Sequence, residues 1–151
     1  MKSYHSYDIK AACDFIATLE GCRLNAYRCP AGVLTIGYGH TGDDVHEGMW
    51  ITQAEAEALL QQDVEKCVRD MSRFVNVYVT EGQFVALTSL AFNVGVNYVT
   101  RKCPKLMRAL NAGDVEACAH EFLDIDKANG QKLPGLSRRR QSEARLFLGE
   151  A

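Results

Sequence analysis

The sequence predicts an α+β fold in which one short hairpin near the N-terminus is followed by a helical majority. Apolar side chains recur at helical spacing over most of the 151 residues. Two short segments, at 23–28 and 33–38, flank a turn-rich tetrapeptide of Cys, Pro, Ala and Gly, which predicts the hairpin. Hydrophobic residues make up 47% and charged residues 24%, so the chain can bury a core.

The first predicted helix covers residues 8–20. Its apolar residues fall on one helical face, Asp8 is the expected N-cap, and Gly21 follows its end. A capping box formed by Thr52 and Glu55 then predicts a long helix that runs to about residue 73.

Capping signals also predict the remaining helices. Thr80 and Gln83 form a second capping box before an apolar stripe. Pro104 suits the first position of a short helix. Asp114 and Ser137 are the expected N-caps of two final helices, which end near residues 124 and 148.

Charge and hydropathy exclude several classes of protein. Lys and Arg total 17 and Asp and Glu total 19, and this net charge of -2 argues against a nucleic-acid partner. No apolar run reaches the length of about 18 residues that spans a bilayer, and residues 1–10 lack the apolar stretch of an export signal. The basic run 138–140 is expected on a helix face that pairs with carboxylates.

Two apparent motifs are better explained as structure. Residues 37–42 match G-x-G-x-x-G, but Asp43 and Asp44 follow the glycines and would repel a phosphate. His40 is expected to be a structural hydrogen-bonding residue rather than a metal ligand. The six cysteines include no Cys-x-x-Cys pair, and we expect Cys13, Cys67 and Cys118 to be small buried apolar residues.

Glu20 is the first candidate for catalysis. It lies where the first helix ends, beside apolar residues, and such surroundings favour a protonated carboxyl that can donate a proton. A glutamate at a helix end is more often an ordinary exposed residue. The choice between these two interpretations depends on the residues that follow it.

Those residues form a series of motifs that runs along nearly the whole chain. From Glu20 to Thr41 they read EGCRL, YR, PAG and TIGYGHT, and later QFVAL, AFNVG, LPGL and RRR follow in order. This series resembles phage-type lysozymes of glycoside hydrolase family 24, in particular the endolysins of lambdoid phages. The active-site pattern of that family is Glu, eight residues, Asp, five residues, Thr, and these positions hold Glu20, Cys29 and Thr35.

The resemblance implies a muramidase that hydrolyses the β-1,4 bond between N-acetylmuramic acid and N-acetylglucosamine in peptidoglycan. Glu20 would be the general acid. Cys29, where the family usually has Asp, and Thr35 would hold the attacking water, or Cys29 would itself attack as a thiolate. Thr41 and Phe92 are further candidates for contact with substrate.

The resemblance also implies one lysozyme domain over residues 1–151 with two lobes. The hairpin lobe would cover about 21–51, the helical lobe about 1–20 and 74–151, and a connecting helix about 52–73. No metal or cofactor is needed, peptidoglycan is the expected partner, and the chain is expected to be a monomer. It would reside in the host cytoplasm until its release to the periplasm.

Cys29 leaves alternatives open. The chain could be a catalytically impaired peptidoglycan-binding module, or a lytic transglycosylase in which Glu20 works alone and the products end in 1,6-anhydromuramic acid. Some membrane-tethered relatives are held inactive by disulfides, so a regulatory Cys22–Cys29 disulfide is a further expectation from the resemblance. Against it, thiols of a cytoplasmic protein normally stay reduced.

Overall fold

A computed structural model describes residues 1–128 and 130–150. The fold is α+β, as the sequence predicts. Its contacts divide the chain into two compact units, one formed by Ile9–Lys66 and one formed by Met1–Asp8 with the chain from Cys67 onward. The first helix belongs to the same unit as the hairpin.

The unit Ile9–Lys66 contains helix α1, the hairpin and most of helix α2. Its elements are α1 (Lys10–Leu19), β1 (Arg23–Arg28), β2 (Leu34–Gly37) and α2 (Gln53–Ser72). The strands pair antiparallel. Beneath them lies a small apolar core made by Ile36, Val45, Ile51 and Ala56, with Ala26, Leu34 and Met49 packed against it.

The two predicted helix starts in this unit have different outcomes. The capping box of α2 is confirmed, because Thr52 Oγ1 accepts from Glu55 N at 3.1 Å and Glu55 Oε1 accepts from Thr52 N at 3.0 Å. The prediction that Asp8 caps α1 is wrong. Ile9 occupies the N-cap position, so Asp8 lies one residue too early for an N-cap side chain.

The second unit is mainly helical. After a short 3₁₀ turn (Tyr4–Ser6), its elements are α3 (Glu81–Val94), α4 (Val96–Lys102), α5 (Pro104–Asn111), α6 (Val115–Phe122), β3 (Lys127–Ala128), β4 (Gln131–Lys132) and α7 (Pro134–Leu148). Residues 83–91 of α3 are all buried, so α3 is the centre of this unit. None of the described helices is long and apolar enough to cross a membrane.

Most capping predictions in this unit are confirmed. Thr80 and Gln83 form the capping box of α3, and Asp114 accepts from the backbone N–H of Ala117 at 3.2 Å at the start of α6. The prediction that Ser137 caps the last helix is wrong, because α7 already begins at Pro134. The Ser137 hydroxyl instead donates to Asp126 at 2.9 Å.

Buried charges join α3 to α7. Glu143 is fully buried, with Arg140 Nε 2.8 Å from its Oε1 and Arg139 Nε 3.3 Å from its Oε2. The Ser89 hydroxyl of α3 donates to the same carboxylate, and Arg140 donates to Asn93 at 2.8 Å. The expectation that the basic run 138–140 pairs with a carboxylate is thus confirmed for Arg139 and Arg140.

The cysteines expected in the core do not all lie there. Cys67 and Cys118 are buried, as expected. Cys13 is only half-buried, which corrects the expectation for that residue. The apolar pattern around Cys13 indicates the inner side of α1 but not how deeply a residue at its edge is covered.

Candidate active site

Glu20 lies where α1 ends and the hairpin begins. Its backbone has turned to an extended conformation (φ -93°, ψ 139°), and its N–H donates to Ile16 O at 2.9 Å as the last bond of the helix. The side chain is half-buried. Strand β1 starts three residues later, so α1 and β1 together fix the position of this carboxyl.

Cys29 lies in the tight turn that joins the two strands of the hairpin. Cys29 N donates to Val33 O at 3.0 Å, and Gly32 N donates to Cys29 O at 2.8 Å. Gly32 has φ +82°, a conformation that favours glycine, and the turn can close for that reason. The closed turn directs backbone N–H groups towards the cysteine sulfur.

These N–H groups change the acidity of the thiol. Hydrogen bonds from Val33 first, then from Ala31, hold the pKa of Cys29 below its usual value, with smaller contributions from Thr35 and Gly32. Donors aimed at a sulfur stabilise its anionic form. The turn therefore favours a thiolate at the position where the family usually has a carboxylate.

Thr35 is the second residue of β2 and is only 4% exposed. Its hydroxyl donates to Val33 O at 2.9 Å and is also within hydrogen-bonding reach of Cys29. Because a hydroxyl has a single proton, it can donate to the carbonyl or to the sulfur, and its lone pairs stay available to a water. The hairpin thus brings together Cys29 and Thr35.

Thr41, Phe92 and Cys22 are the remaining candidates. Thr41 is exposed, directly after the tight turn that ends with His40. Phe92 is half-buried on α3, in the other compact unit. Cys22 and Cys29 are both reduced thiols at opposite ends of β1, and Cys22 Sγ lies 3.7 Å from Gln53 Oε1.

His40 is a structural hydrogen-bonding residue, as expected. Its Nδ1 lies 2.8 Å from Asp63 of α2, and its Nε2 lies 3.0 Å from Asp44. The contact of His40 with Asp63 could not be predicted from the sequence. Asp63 is separated from His40 by 23 positions, and no local pattern links a histidine after a strand with an acid in a later helix.

A protein-family model and individual relatives match this chain. The model, described as phage lysozyme, matches residues 17–143. An endolysin of Acyrthosiphon pisum secondary endosymbiont phage 1 is 41% identical over 136 residues, which cover 87% of this chain and 91% of that protein. An endolysin of Bacillus phage B103 is 40% identical over 141 residues, and these cover 92% of this chain.

The chain spans about half, 53%, of the length of the Bacillus phage endolysin. This chain covers a larger share of a similar protein whose structure has been solved. The muramidase domain of SpmX from Asticaccaulis excentricus superposes with a TM-score of 0.83 at 36% identity, over 92% of this chain and 95% of that one. Sequence motifs, fold and family model therefore agree, and this chain belongs to the phage lysozyme family.

Proposed function

We propose that the chain is a muramidase that hydrolyses the β-1,4 bond between N-acetylmuramic acid and N-acetylglucosamine in bacterial peptidoglycan. The observation that carries the proposal is the tight hairpin turn in which Cys29 N and the Thr35 hydroxyl both donate to Val33 O, so that the thiol and the hydroxyl lie at one end of the hairpin. Membership of the phage lysozyme family supports the substrate class. The similar muramidase domain and endolysins support it further.

In the first part of the reaction Glu20 donates a proton to the oxygen of the leaving sugar. An alkoxide is a poor leaving group, so protonation as the glycosidic bond breaks lowers the barrier. The developing charge on the remaining sugar is positive and spread over its ring oxygen and anomeric carbon. An anion near that carbon stabilises it.

Cys29 and Thr35 activate the water that attacks the sugar in the same displacement. The Cys29 thiolate accepts a proton from a water while the Thr35 hydroxyl orients that water, and the water oxygen bonds to the anomeric carbon as the bond to the leaving oxygen breaks. This single displacement inverts the configuration at that carbon. If the sulfur itself attacked, a carbon–sulfur bond would form first, and hydrolysis of that bond would restore the original configuration.

Analysis of the products tests the reaction. Mass spectrometry of digested cell walls is expected to show fragments with reducing ends, and proton NMR of early product is expected to show inversion. Products that end in 1,6-anhydromuramic acid would overturn hydrolysis in favour of transglycosylation. Wall binding without cleavage would favour the impaired binding module, in which Cys29 has abolished catalysis.

The variant Glu20→Gln tests the acid. An amide cannot donate the required proton, so the rate should fall by about 10²–10⁴-fold while the fold is retained. Glu65→Gln, on the exposed surface of α2, is a matched control and should retain wild-type activity. Near-normal lysis by Glu20→Gln would remove Glu20 from the mechanism.

The place of action follows from the substrate. Peptidoglycan lies outside the inner membrane, so we propose that the chain acts in the periplasm of a lysing host. Several similar proteins are SAR-endolysins, among them that of Bacteriophage PS119. Separation of the periplasmic and cytoplasmic fractions during lysis tests this location.

A further inference from the structure

Trp50 is an unusual surface residue. It is the only tryptophan of the chain, and 70% of its area is exposed to solvent. Large aromatic side chains normally bury most of their area, because leaving that area in water costs free energy. An indole held in solvent therefore suggests a contact with another molecule.

The backbone around Trp50 is fixed to the hairpin. Ala26 N donates to Met49 O at 2.8 Å, and Ile51 N donates to Leu24 O at 2.8 Å. These two bonds flank an antiparallel bridge between Asn25 and Trp50, an arrangement in which the paired side chains lie close together on one face. Segment 49–51 thus pairs with β1 through one isolated bridge, which holds the backbone of Trp50 beside the hairpin.

Successive side chains of an extended segment point to opposite sides, and this alternation shows on which side of the hairpin Trp50 lies. Met49 and Ile51 pack on the apolar core beneath the sheet, so Trp50 points away from that core. On β2, Leu34 and Ile36 belong to the same core, so Thr35 also points away from it. Trp50 and the candidate catalytic Thr35 therefore stand on the same side of the hairpin.

The bridge partner of Trp50 is the polar residue Asn25. Elsewhere on β1 the Arg23 guanidinium lies over the ring of Tyr27, 4.5 Å from its centroid. Tyr27 in turn pairs with Thr35, so strand β1 lies between the segment of Trp50 and the strand that carries Thr35. Two strand spacings, about 10 Å in total, separate the segment of Trp50 from β2, and a few sugar units span that distance.

We propose that Trp50 forms a saccharide-binding subsite on which a sugar ring of the peptidoglycan glycan strand stacks. One face of a pyranose carries C–H groups that pack against the electron-rich face of an aromatic ring. Asn25, the bridge partner of Trp50, can hydrogen-bond a hydroxyl or acetamido group at the edge of that sugar. The inference rests on the proposed function, because it extends the same glycan-binding face.

The chemistry of this face favours a glycan over a lipid surface. An interfacial membrane anchor combines its tryptophan with apolar neighbours and basic residues. The bridge partner of Trp50 is instead a polar amide, and the chain carries a net charge of -2, which is unfavourable near anionic lipids.

Fluorescence tests binding directly, because all indole emission of this chain comes from Trp50. Glu20→Gln protein is titrated with purified peptidoglycan glycan strands, and separately with vesicles of phosphatidylethanolamine and phosphatidylglycerol. Glycan is expected to shift the emission to the blue in a saturable manner, and vesicles are expected to leave it unchanged. A shift of the emission on addition of vesicles would overturn the proposal. So would unchanged emission at glycan concentrations at which a sedimentation assay shows that the protein is saturated with glycan.

Steady-state kinetics on solubilised glycan strands is the second test of the subsite. Trp50→Ala should raise KM by about five- to tenfold with kcat unchanged, and Trp50→Phe, which keeps a ring, should restore most of the loss. Tyr78→Ala, at a tyrosine that is 68% exposed in the other unit, is the matched control and should not change KM.

An unchanged KM in Trp50→Ala would overturn the subsite while hydrolysis itself stands. A wild-type protein that releases no reducing ends would instead overturn the proposed function. In that case the fluorescence titration still decides whether Trp50 binds glycan. The two failures are therefore distinguishable.

Discussion

At the scale of single residues, Cys29 shows how a backbone changes the chemistry of a side chain. A thiol in water is mostly protonated at neutral pH. The N–H groups of Val33 and Ala31 stabilise the anion and lower the pKa of Cys29, so its thiolate forms more readily than that of a cysteine in water.

This leads to a prediction for the pH profile. Because the pKa of Cys29 is lowered, the wild-type rate should already be high below the ordinary thiol pKa of about 8.5, and should fall as the pH drops and the thiolate is protonated. Cys29→Asp should stay active, and its rate should persist to lower pH. The pH dependence of kcat/KM for both proteins measures this shift.

Cys29→Ala is the control for the same prediction. It removes the anion and should lose most of the activity, whereas equal rates for alanine and cysteine would show that the thiol takes no part. Thr35→Val keeps the β-branched shape that suits a strand but removes the hydroxyl. It should lower the rate with little change in melting temperature.

At the scale of elements, His40 links the hairpin to α2. Burial disfavours its charged form, but the hydrogen bonds to Asp63 and Asp44 outweigh this effect and raise the pKa of His40. Asp44, which is exposed, has a lowered pKa because it bonds to His40. The charged imidazole donates from both ring nitrogens, so the link is strongest when His40 is protonated.

The stability of the protein should therefore depend on pH through this link. A raised folded pKa means that the contribution is complete below the unfolded histidine pKa of about 6.5 and is lost as the pH rises through the folded value. At acidic pH, protonation of Asp44, whose pKa is lowered by its bond to His40, removes one partner of the link.

Denaturant unfolding of wild type and His40→Gln at pH 5 and pH 8.5 measures the effect. The variant should be less stable than wild type by about 1.5–3 kcal/mol at pH 5, and the difference should shrink at pH 8.5. His46→Gln, at an exposed histidine of the same unit, is the control and should show no such dependence. A difference that grows with pH would contradict the assignment.

The extended conformation of strand β1 opposes a disulfide between Cys22 and Cys29. An extended chain over the seven steps between them separates their Cα atoms by roughly 20 Å. A disulfide needs Cα atoms within about 7 Å, so oxidation has to unfold β1. The strand pairing with β2 and the burial of Thr35 would be lost together.

We therefore predict that any Cys22–Cys29 disulfide inactivates the protein and that reductant restores activity. Peptide mapping after treatment with oxidised glutathione detects the linkage, and circular dichroism reports the loss of strand. Cys22→Ser should abolish the sensitivity, while Cys103→Ser, which leaves both hairpin thiols in place, should retain it. Linked protein that remains fully active would contradict the prediction.

At the scale of the whole molecule, the buried cluster around Glu143 is the main polar element of the helical unit. Burial raises the pKa of Glu143 and lowers that of Arg140, and their mutual attraction opposes both effects. Desolvated charges of this kind are tolerated only when each has its partner. Removal of one partner leaves the others buried without compensation.

We predict that Glu143→Ala destabilises the protein by about 3–5 kcal/mol, because Arg139 and Arg140 would stay buried without their carboxylate. Glu150→Ala is the matched control. It breaks an exposed ion pair with Arg145 at 4.0 Å and should cost about 1 kcal/mol or less. Equal midpoints for the two variants in urea unfolding would contradict this role of Glu143.

Local features of this protein could be predicted from its sequence. Helices α2, α3 and α5 start where the capping boxes and Pro104 indicate, since these signals act within a few residues. The turn residues predicted the hairpin in the same way, whereas Cys29 and Thr35 were singled out by their resemblance to the active-site pattern of the phage lysozymes. The short β3–β4 hairpin was missed, since its strands of two residues leave no periodicity to detect.

Contacts between distant residues depend on the tertiary structure. Helix α7 begins at Pro134, and the Ser137 hydroxyl, which lies in its first turn, donates to Asp126 instead of capping the helix. The partner of His40, the carboxylate shared by Arg139 and Arg140, and the exposure of Trp50 all depend on packing between segments. Local sequence preferences act over a few residues, whereas burial and long-range pairing depend on the fold as a whole.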